Sequence, residues 1–393
     1  MKLTKTSIGL LLAIFLLSLN MRPAITSIGP LLDTIRNDLA LSNSEISLLT
    51  SIPVICMGLF APLAVWWLRR FGQKWGITLL VLVIGIFTAL RFVWSAYMGL
   101  LLTSFVVGIA IAIMGPILSS FIKERFASQT PLAISVYSLG MGGGATLSAG
   151  LTGYFYVGYQ SNWSAALATW GILAVISLIV WFIVYKPQIV EKTTTEDVFI
   201  EPIVRSPWKN YRAWMIMLFF GFQCALFFAL TTWLGSIAGE MGYSLLKAGS
   251  TITLMTTVQL FFNLLVPFLM NKNPNRLFWI FVALSIGTVG LLFMLTGIPN
   301  LIWVSAVLLG ITLAVLFPVG LLLPLDETTN PFEANEWSAM VLSGGFVIGG
   351  IFPLVIGILY DATNSHTWTI LLMLLMMVMM AIFTFLLKRA REQ

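Results

Sequence analysis

The chain has 393 residues, 59% of them hydrophobic and only 9% charged, with a mean hydropathy of +0.98. Soluble domains carry about a quarter charged residues, so a soluble enzyme, a disordered chain and a nucleic-acid-binding domain are excluded. The net charge of +6 then reads as basic residues at the ends of membrane helices.

A helix crossing a hydrocarbon core of ~30 Å needs about 20 apolar residues. Such runs fall at 8–29, 44–68, 75–94, 97–121, 131–157, 163–185, 211–237, 245–270, 277–297, 300–323, 336–359 and 367–387. They predict an all-α membrane protein of twelve transmembrane helices, with no β-barrel alternation. Lys2 and Lys5 ahead of the apolar run 8–19 look like a secretory signal. No small-x-small cleavage site follows, so the run is expected to remain as the first helix.

The first span holds a charge. Arg22 is the fifteenth residue of the span that begins at Ile8, about 20 Å from the near end at ~1.5 Å per residue. A central arginine costs at least ~2.5 kcal/mol on insertion scales. It is expected to face a wet cavity and bind substrate, because a guanidinium is a planar donor fork suited to anions. The competing reading is a snorkelling or backbone-bracing arginine. Pro23 removes a backbone donor and predicts a distorted helix at that point. Asn20 is a second candidate ligand, about 200° round the helix from Arg22.

Between spans 2 and 3 stands the basic turn Arg69, Arg70, Phe71, Gly72, Gln73, Lys74, and Lys123 and Arg125 follow span 4. Arg91, at the outer end of span 3, is expected to snorkel. Span 5 offers Tyr137 as a ligand and Gly140, Gly142, Gly143 and Gly144 for close helix approach. The longest polar stretch, 186–210, divides the chain into six-helix halves, 1–185 and 211–393. Span 7 contributes Gln223 beside Cys224, and span 8 contributes Gln259 and Asn263, one turn apart on one face. The loop after span 10 carries Asp326, Glu327, Glu333 and Glu336 and no basic residue. These acids are expected to pair with Arg69, Arg70, Lys74, Lys123 and Arg125 as a gate across the cytoplasmic face. Gly344, Gly345, Gly349 and Gly350 repeat the small-residue pattern in span 11. The methionines of 373–380 read as packing or lipid-facing.

Placing the N-terminus in the cytoplasm puts 17 of the 21 basic residues on that side and leaves Arg22, Arg36, Arg91 and Lys247. Both termini are therefore expected to be cytoplasmic. Carboxylates stay at the edges: Glu45 and Glu240 near the outer ends of spans, Asp33, Asp38 and Asp361 in outer connections. The two cysteines, Cys56 and Cys224, and the single histidine, His366, build no disulfide framework, metal site or catalytic triad. No cofactor is expected.

A shift of 202 positions carries Gly108 onto Gly310, Pro116 onto Pro318, Ser42 onto Ser244 and the turn 69–74 onto 271–276. The halves thus read as pseudo-repeats, which place a substrate site between them near the membrane midplane.

With twelve spans, a central loop and the basic turn, the whole chain resembles the major facilitator superfamily. Arg70, Gly72 and Lys74 fit that family's acidic-basic-x-Gly-x-basic turn, and Arg69 stands where the family usually has Asp. A closer resemblance, to the cyanate/2-nitroimidazole transporter branch, is carried by four segments. They are Leu19-Asn20-Met21-Arg22-Pro23, Gly29-Pro30-Leu31-Leu32, Phe121-Ile122-Lys123 with Arg125-Phe126, and Met141-Gly142-Gly143-Gly144. The resemblance implies a secondary transporter working by alternating access on cyanate-like anions or nitro-heterocycles. Its partners would be a small-molecule solute and the bilayer, with no nucleic acid, and it would act as a monomer. The alternatives are a multidrug-type efflux carrier for apolar aromatic compounds, with Arg22 structural, and a non-transporting receptor or scaffold.

Overall fold

The computed structural model describes residues 5–126, 129–185, 206–273, 275–328 and 331–392. Lys2, most of the central loop (186–205) and Pro274 lie outside the described residues. The described chain is helical throughout. The helices are α1 (Lys5–Leu19, continued by shorter turns to Asp38), α2 (from Asn43), α3 (to Ala89), α4 (Tyr97–Arg125), α5 (Thr130–Gly158) and α6 (Trp163–Ala168, Thr169–Gly171 and Ile172–Val184). They continue with α7 (Tyr211–Glu240), α8 (Leu245–Lys272), α9 (Arg276–Leu295), α10 (Leu301–Asp326), α11 (Pro331–Thr363) and α12 (His366–Glu392).

Eleven stretches of helix among the described residues are long and apolar enough to cross a membrane. The twelfth helix, α5, is long enough, but seven glycines and several Ser and Thr dilute its apolar content. Backbone groups cannot be left open in hydrocarbon, and the helix ends are closed accordingly. Asn162, Asn210 and Asn275 accept from the amides of Ala165, Arg212 and Phe278.

Two expected spans differ in shape. The run 8–29 is not one helix: it breaks after Leu19, resumes for a turn at Pro23–Thr26, passes through a 3-10 turn at Gly29–Leu31 and ends as Leu32–Asp38. Pro23 and Pro30 lack the amide a continuous helix needs. The segment Leu63–Ala89 is two helices meeting at Gly72, whose φ of 66° and ψ of 176° turn the chain at the predicted basic turn. Its first part extends α2 and its second is α3.

In the first half α1 lies against α5 and α6, α2 and α3 against α4, and α3 against α6. In the second half α7 lies against α11, α12 and α8, while α8 and α9 pack on α10, and α9 on α12. The repeat holds in the packing itself. A side chain at Gly108 would lie 2.6 Å from Pro53 Cα, and one at Gly310 would lie 2.6 Å from Met255 O. Both glycines and both partners are 202 positions apart. The methionines Met373, Met376, Met377 and Met380 are buried, one stripe of α12 facing inward.

The halves meet along α2 with α11 and along α5 with α8. Glycines permit the approach. A side chain at Gly350 would lie 2.7 Å from Ile55 N and one at Gly142 2.6 Å from Leu260 Cδ1; within the first half, one at Gly144 would run into the Leu19 carbonyl. By contrast, nothing lies within 4 Å of a side chain at Gly143. Gly144→Val is expected to force α1 off α5 and abolish the monodisperse peak in size-exclusion chromatography, whereas Gly143→Ala keeps it. Equal behaviour of the two variants would contradict this packing.

Candidate functional site at the junction of the halves

Residues 20–22 form the break in α1 and contribute no regular helix. The Arg22 carbonyl accepts from Ile25 N (3.0 Å), Thr26 N (3.0 Å) and Thr26 Oγ1 (2.9 Å), so the backbone of the break is closed locally. The side chain is not. Arg22 is 8% exposed, and its Nη1 is buried with no hydrogen-bond partner. Among the described residues no main-chain oxygen holds Nη1. The guanidinium carbon lies 5.5 Å from the ring centroids of both Phe227 and Phe228, on α7 of the other half. Such cation–π contact contributes about 0.5–2 kcal/mol and leaves in-plane donors free.

Tyr137 and Cys224 are within electrostatic reach of Arg22. Tyr137 is half-buried, with its hydroxyl 3.8 Å from where a side chain at Gly115 would begin; Met21 Cε lies 3.7 Å from the same point. On α7, Gln223 is 1% exposed and its Oε1 lies 3.5 Å from Cys224 Sγ. Gln223 and Cys224 are one turn below Phe227 and Phe228, so the polar pair and the aromatic pair share faces. The two phenylalanines were not among the residues singled out from sequence; their i+4 spacing from Gln223 and Cys224 was the available signal. On α8, Gln259 and Asn263 are half-buried, and Asn263 Oδ1 is buried without a partner.

Asn20 lies elsewhere. Its Nδ2 donates to Leu16 O (2.8 Å), Leu173 O (3.3 Å) and Ser177 Oγ (2.5 Å), tying α1 to α6. Arg91 corrects an expectation: it does not snorkel. It is 1% exposed and donates to Ala24 O, Thr103 Oγ1 and Ser104 Oγ.

Toward the face opposite the termini (the far face) the junction is shut. Gly29 of α1 abuts the Thr231 carbonyl of α7, and Ser236 Oγ lies 3.2 Å from Asp33 Oδ1. Asp361, expected in a connection, sits in the last turn of α11. Its carboxylate accepts from Asn43 N, Asn43 Nδ2 and Ser44 N, each at 2.8 Å, across the two halves.

At the terminal face the ion pairs seen among the described residues lie within one half. Asp326 pairs with Arg276, and Glu327 with Arg212 at 3.2 Å, both within the second half. Asp326 and Glu333 belong to helices rather than to a loop, since α10 and α11 extend past the expected spans, and Glu336 lies within α11. Arg69, Arg70 and Lys123 are exposed, Glu333 is half-buried and Glu336 exposed. Lys74 lies over the rings of Trp75, Phe182 and Tyr185, and Arg125 over those of Phe121 and Tyr185. A cleft of about 510 Å³ between Ser206–Trp208 and α11 includes Glu336 and none of the predicted ligands.

This architecture has known relatives. The Major Facilitator Superfamily model matches residues 6–330. The chain belongs to that superfamily. Among superfamily relatives, the cyanate transport protein CynX of Escherichia coli (strain K12) is 31% identical over 361 residues, covering 91% of each chain. The 2-nitroimidazole transporter of the same organism is 28% identical, covering 99% of this chain and 97% of its own. The fold is shared with a bacterial homolog of the human lysosomal transporter Spinster (TM-score 0.78, 18% identity, 98% and 97% covered). It is shared as well with a D-xylose–proton symporter (TM-score 0.76, 14% identity, 97% of each). The protein is therefore a multi-pass membrane transporter for small solutes, not an enzyme.

Proposed function

We propose that this transporter moves a small anionic or acceptor-rich solute by alternating access, with Arg22 as its anchor. The observation that carries the reading is the buried guanidinium at the junction, with Nη1 unpartnered and no carboxylate paired to it among the described residues. A buried charge left open is costly unless a ligand completes it. An anion supplies both the opposite charge and the acceptors, and the flanking Phe227 and Phe228 suit a flat or linear one. The names of the two E. coli relatives point the same way: cyanate is a linear anion, and a nitroimidazole is a planar ring rich in acceptors. Tyr137 and Gln223 extend the binding surface, and Gln259 with Asn263 offers polar groups from α8. Asn20 is left out, since its amide nitrogen is committed to α6.

In this reading residues 1–185 and 211–393 rock as two units about Arg22, in a monomer whose partners are the solute and the lipid. The terminal face is cytoplasmic, so the shut far face is external. The test is thermal shift on purified protein with cyanate, 2-nitroimidazole and an apolar aromatic amine. Stabilisation by the first two, lost in Arg22→Ala, supports the proposal. The contacts of Arg22 with two phenylalanines favour one rival, efflux of apolar aromatics. Stabilisation by the amine alone, unchanged in Arg22→Ala, would establish that rival instead.

The charge asymmetry of the terminal face supplies the cytoplasmic gate. When the far side opens, Arg69, Arg70, Lys74, Lys123 and Arg125 approach Asp326, Glu327, Glu333 and Glu336. Replacing Arg69 and Arg70 by Glu should hold the carrier inward-open. The check is cytoplasmic-side maleimide labelling of a cysteine at Ser343, which is expected to rise several-fold; an unchanged rate rejects the gate.

A further inference from the structure

Two arginines are buried in the first half, and they stand in opposite bonding states. Arg22 has an unpartnered Nη1. Arg91 is almost fully enclosed and directs three donors at three oxygens: Nη1 to Ala24 O at 2.9 Å, Nη2 to Ser104 Oγ at 3.2 Å and Nε to Thr103 Oγ1 at 3.4 Å. Ala24 is two residues from Arg22, inside the single helical turn that follows the break.

The carbonyl chosen is informative. In a continuous helix Ala24 O would accept from Ile28 N, but Ile28 N turns back to Ile25 O at 3.4 Å, while Ser27 N takes Pro23 O at 3.0 Å. The Ala24 carbonyl is therefore released by the break and would be an open acceptor within the protein. Arg91 reaches from the end of α3 to close it, and two hydroxyls of α4 fix its guanidinium plane. Thr103 Oγ1 itself donates to Leu100 O, so its lone pairs are directed toward Arg91. The break that brings Arg22 to the junction is thus held from behind by a second, fully engaged fork.

We propose that Arg91 is a positioning residue for solute binding: by holding the Ala24 carbonyl, it fixes the segment 20–26 so that the Arg22 guanidinium faces the junction. This rests on Arg22 being the solute anchor. Lysine is the informative replacement, because it keeps the charge but cannot address three separate oxygens. If Arg91 acted only by adding positive potential, Arg91→Lys would behave as wild type.

The experiment has two readouts. In proteoliposomes, cyanate uptake by Arg91→Lys, Arg91→Gln and Ser104→Ala is compared with wild type and Arg22→Ala. Arg91→Lys and Arg91→Gln should raise KM about tenfold or more with Vmax changed less than twofold, and Ser104→Ala should raise it less. The second readout needs no solute. Hydrogen–deuterium exchange of a peptide spanning residues 20–28 should quicken in both Arg91 variants, while that of residues 8–18 stays at the wild-type rate. Should an Arg91 variant fail to fold, Ser104→Ala and Thr103→Val loosen the same fork from the acceptor side and are read identically. Unchanged exchange across 20–28 overturns the proposal, whatever cyanate does. So does an unchanged KM in an Arg91→Lys protein whose wild type transports cyanate. If wild type binds no cyanate but exchange across 20–28 quickens, the anion reading fails, and the holding of the break by Arg91 stands.

Discussion

Replacing Arg22 by methionine is expected to abolish solute binding and, at the same time, to raise the thermal stability of the unliganded protein. The two effects have one cause. The guanidinium is buried, its Nη1 has no acceptor among the described residues, and the faces of Phe227 and Phe228 lie against its charge. A central arginine costs at least ~2.5 kcal/mol in a membrane helix, and an apolar chain of similar length relieves that cost. A bound anion reverses the balance, because hydrogen bonds involving a charged group are worth about 1.5–3 kcal/mol each. Arg22→Met should therefore weaken cyanate or 2-nitroimidazole binding by about 100-fold or more, while its unliganded melting temperature rises by a few degrees. Arg22→Lys keeps the charge without the fork and should fall between. Differential scanning fluorimetry with and without solute measures both quantities. A brace for the fold would give the opposite pattern, a lower melting temperature with solute response intact, and that result would remove Arg22 from the site.

Much of this was legible in the chain, and the physics says which parts. Membrane spans follow from apolar length, so the helices lie where composition put them. The 202-residue repeat was readable because Gly108 and Gly310 cannot be enlarged where α4 meets α2 and α10 meets α8. The exceptional status of Arg22 was visible because hydrocarbon makes any central charge conspicuous. What a single sequence does not contain is direction round a helix in a bundle of unknown packing. Asn20 looked like a ligand because it is polar and adjacent, yet its side chain points at Ser177, 157 positions away. Arg91 looked like an end-of-helix residue free to reach water; only the arrival of Ala24, Thr103 and Ser104 from other segments turns it inward. The acids after span 10 were read by charge alone, and Arg212 and Arg276, on their own half, reach Glu327 and Asp326.

Asp361 carries the second large effect, and it concerns opening of the far face. The start of α2 has four backbone amides without intrahelical partners. Two are handled locally by a capping box: Glu45 N donates to Ser42 Oγ at 3.2 Å, and Ser42 N to Glu45 Oε2 at 2.8 Å. The other two, Asn43 N and Ser44 N, donate to Asp361 at the end of α11. The cap of a first-half helix is therefore completed by the second half, and separating the halves there opens it to water. Negative charge at a helix N-terminus is favourable, and Arg36 Nη1, 2.6 Å from Asn43 Oδ1, orients the amide that provides the third bond. Asp361 is exposed, so each bond is worth about 1 kcal/mol rather than its buried value. Losing all three with Asp361→Ala should shift the balance toward far-face-open carrier by about 3 kcal/mol, roughly 150-fold. Spin labels at Asn37 and Ala362, both exposed and on opposite halves, should then report a longer distance population that wild type lacks, while the thermal unfolding of the protein stays near wild type. Identical distance distributions in the two proteins would mean that the remaining contacts, the α2–α11 glycine approaches at Gly350 and Gly357 together with Gly29–Thr231 and Ser236–Asp33, keep the far face shut without Asp361.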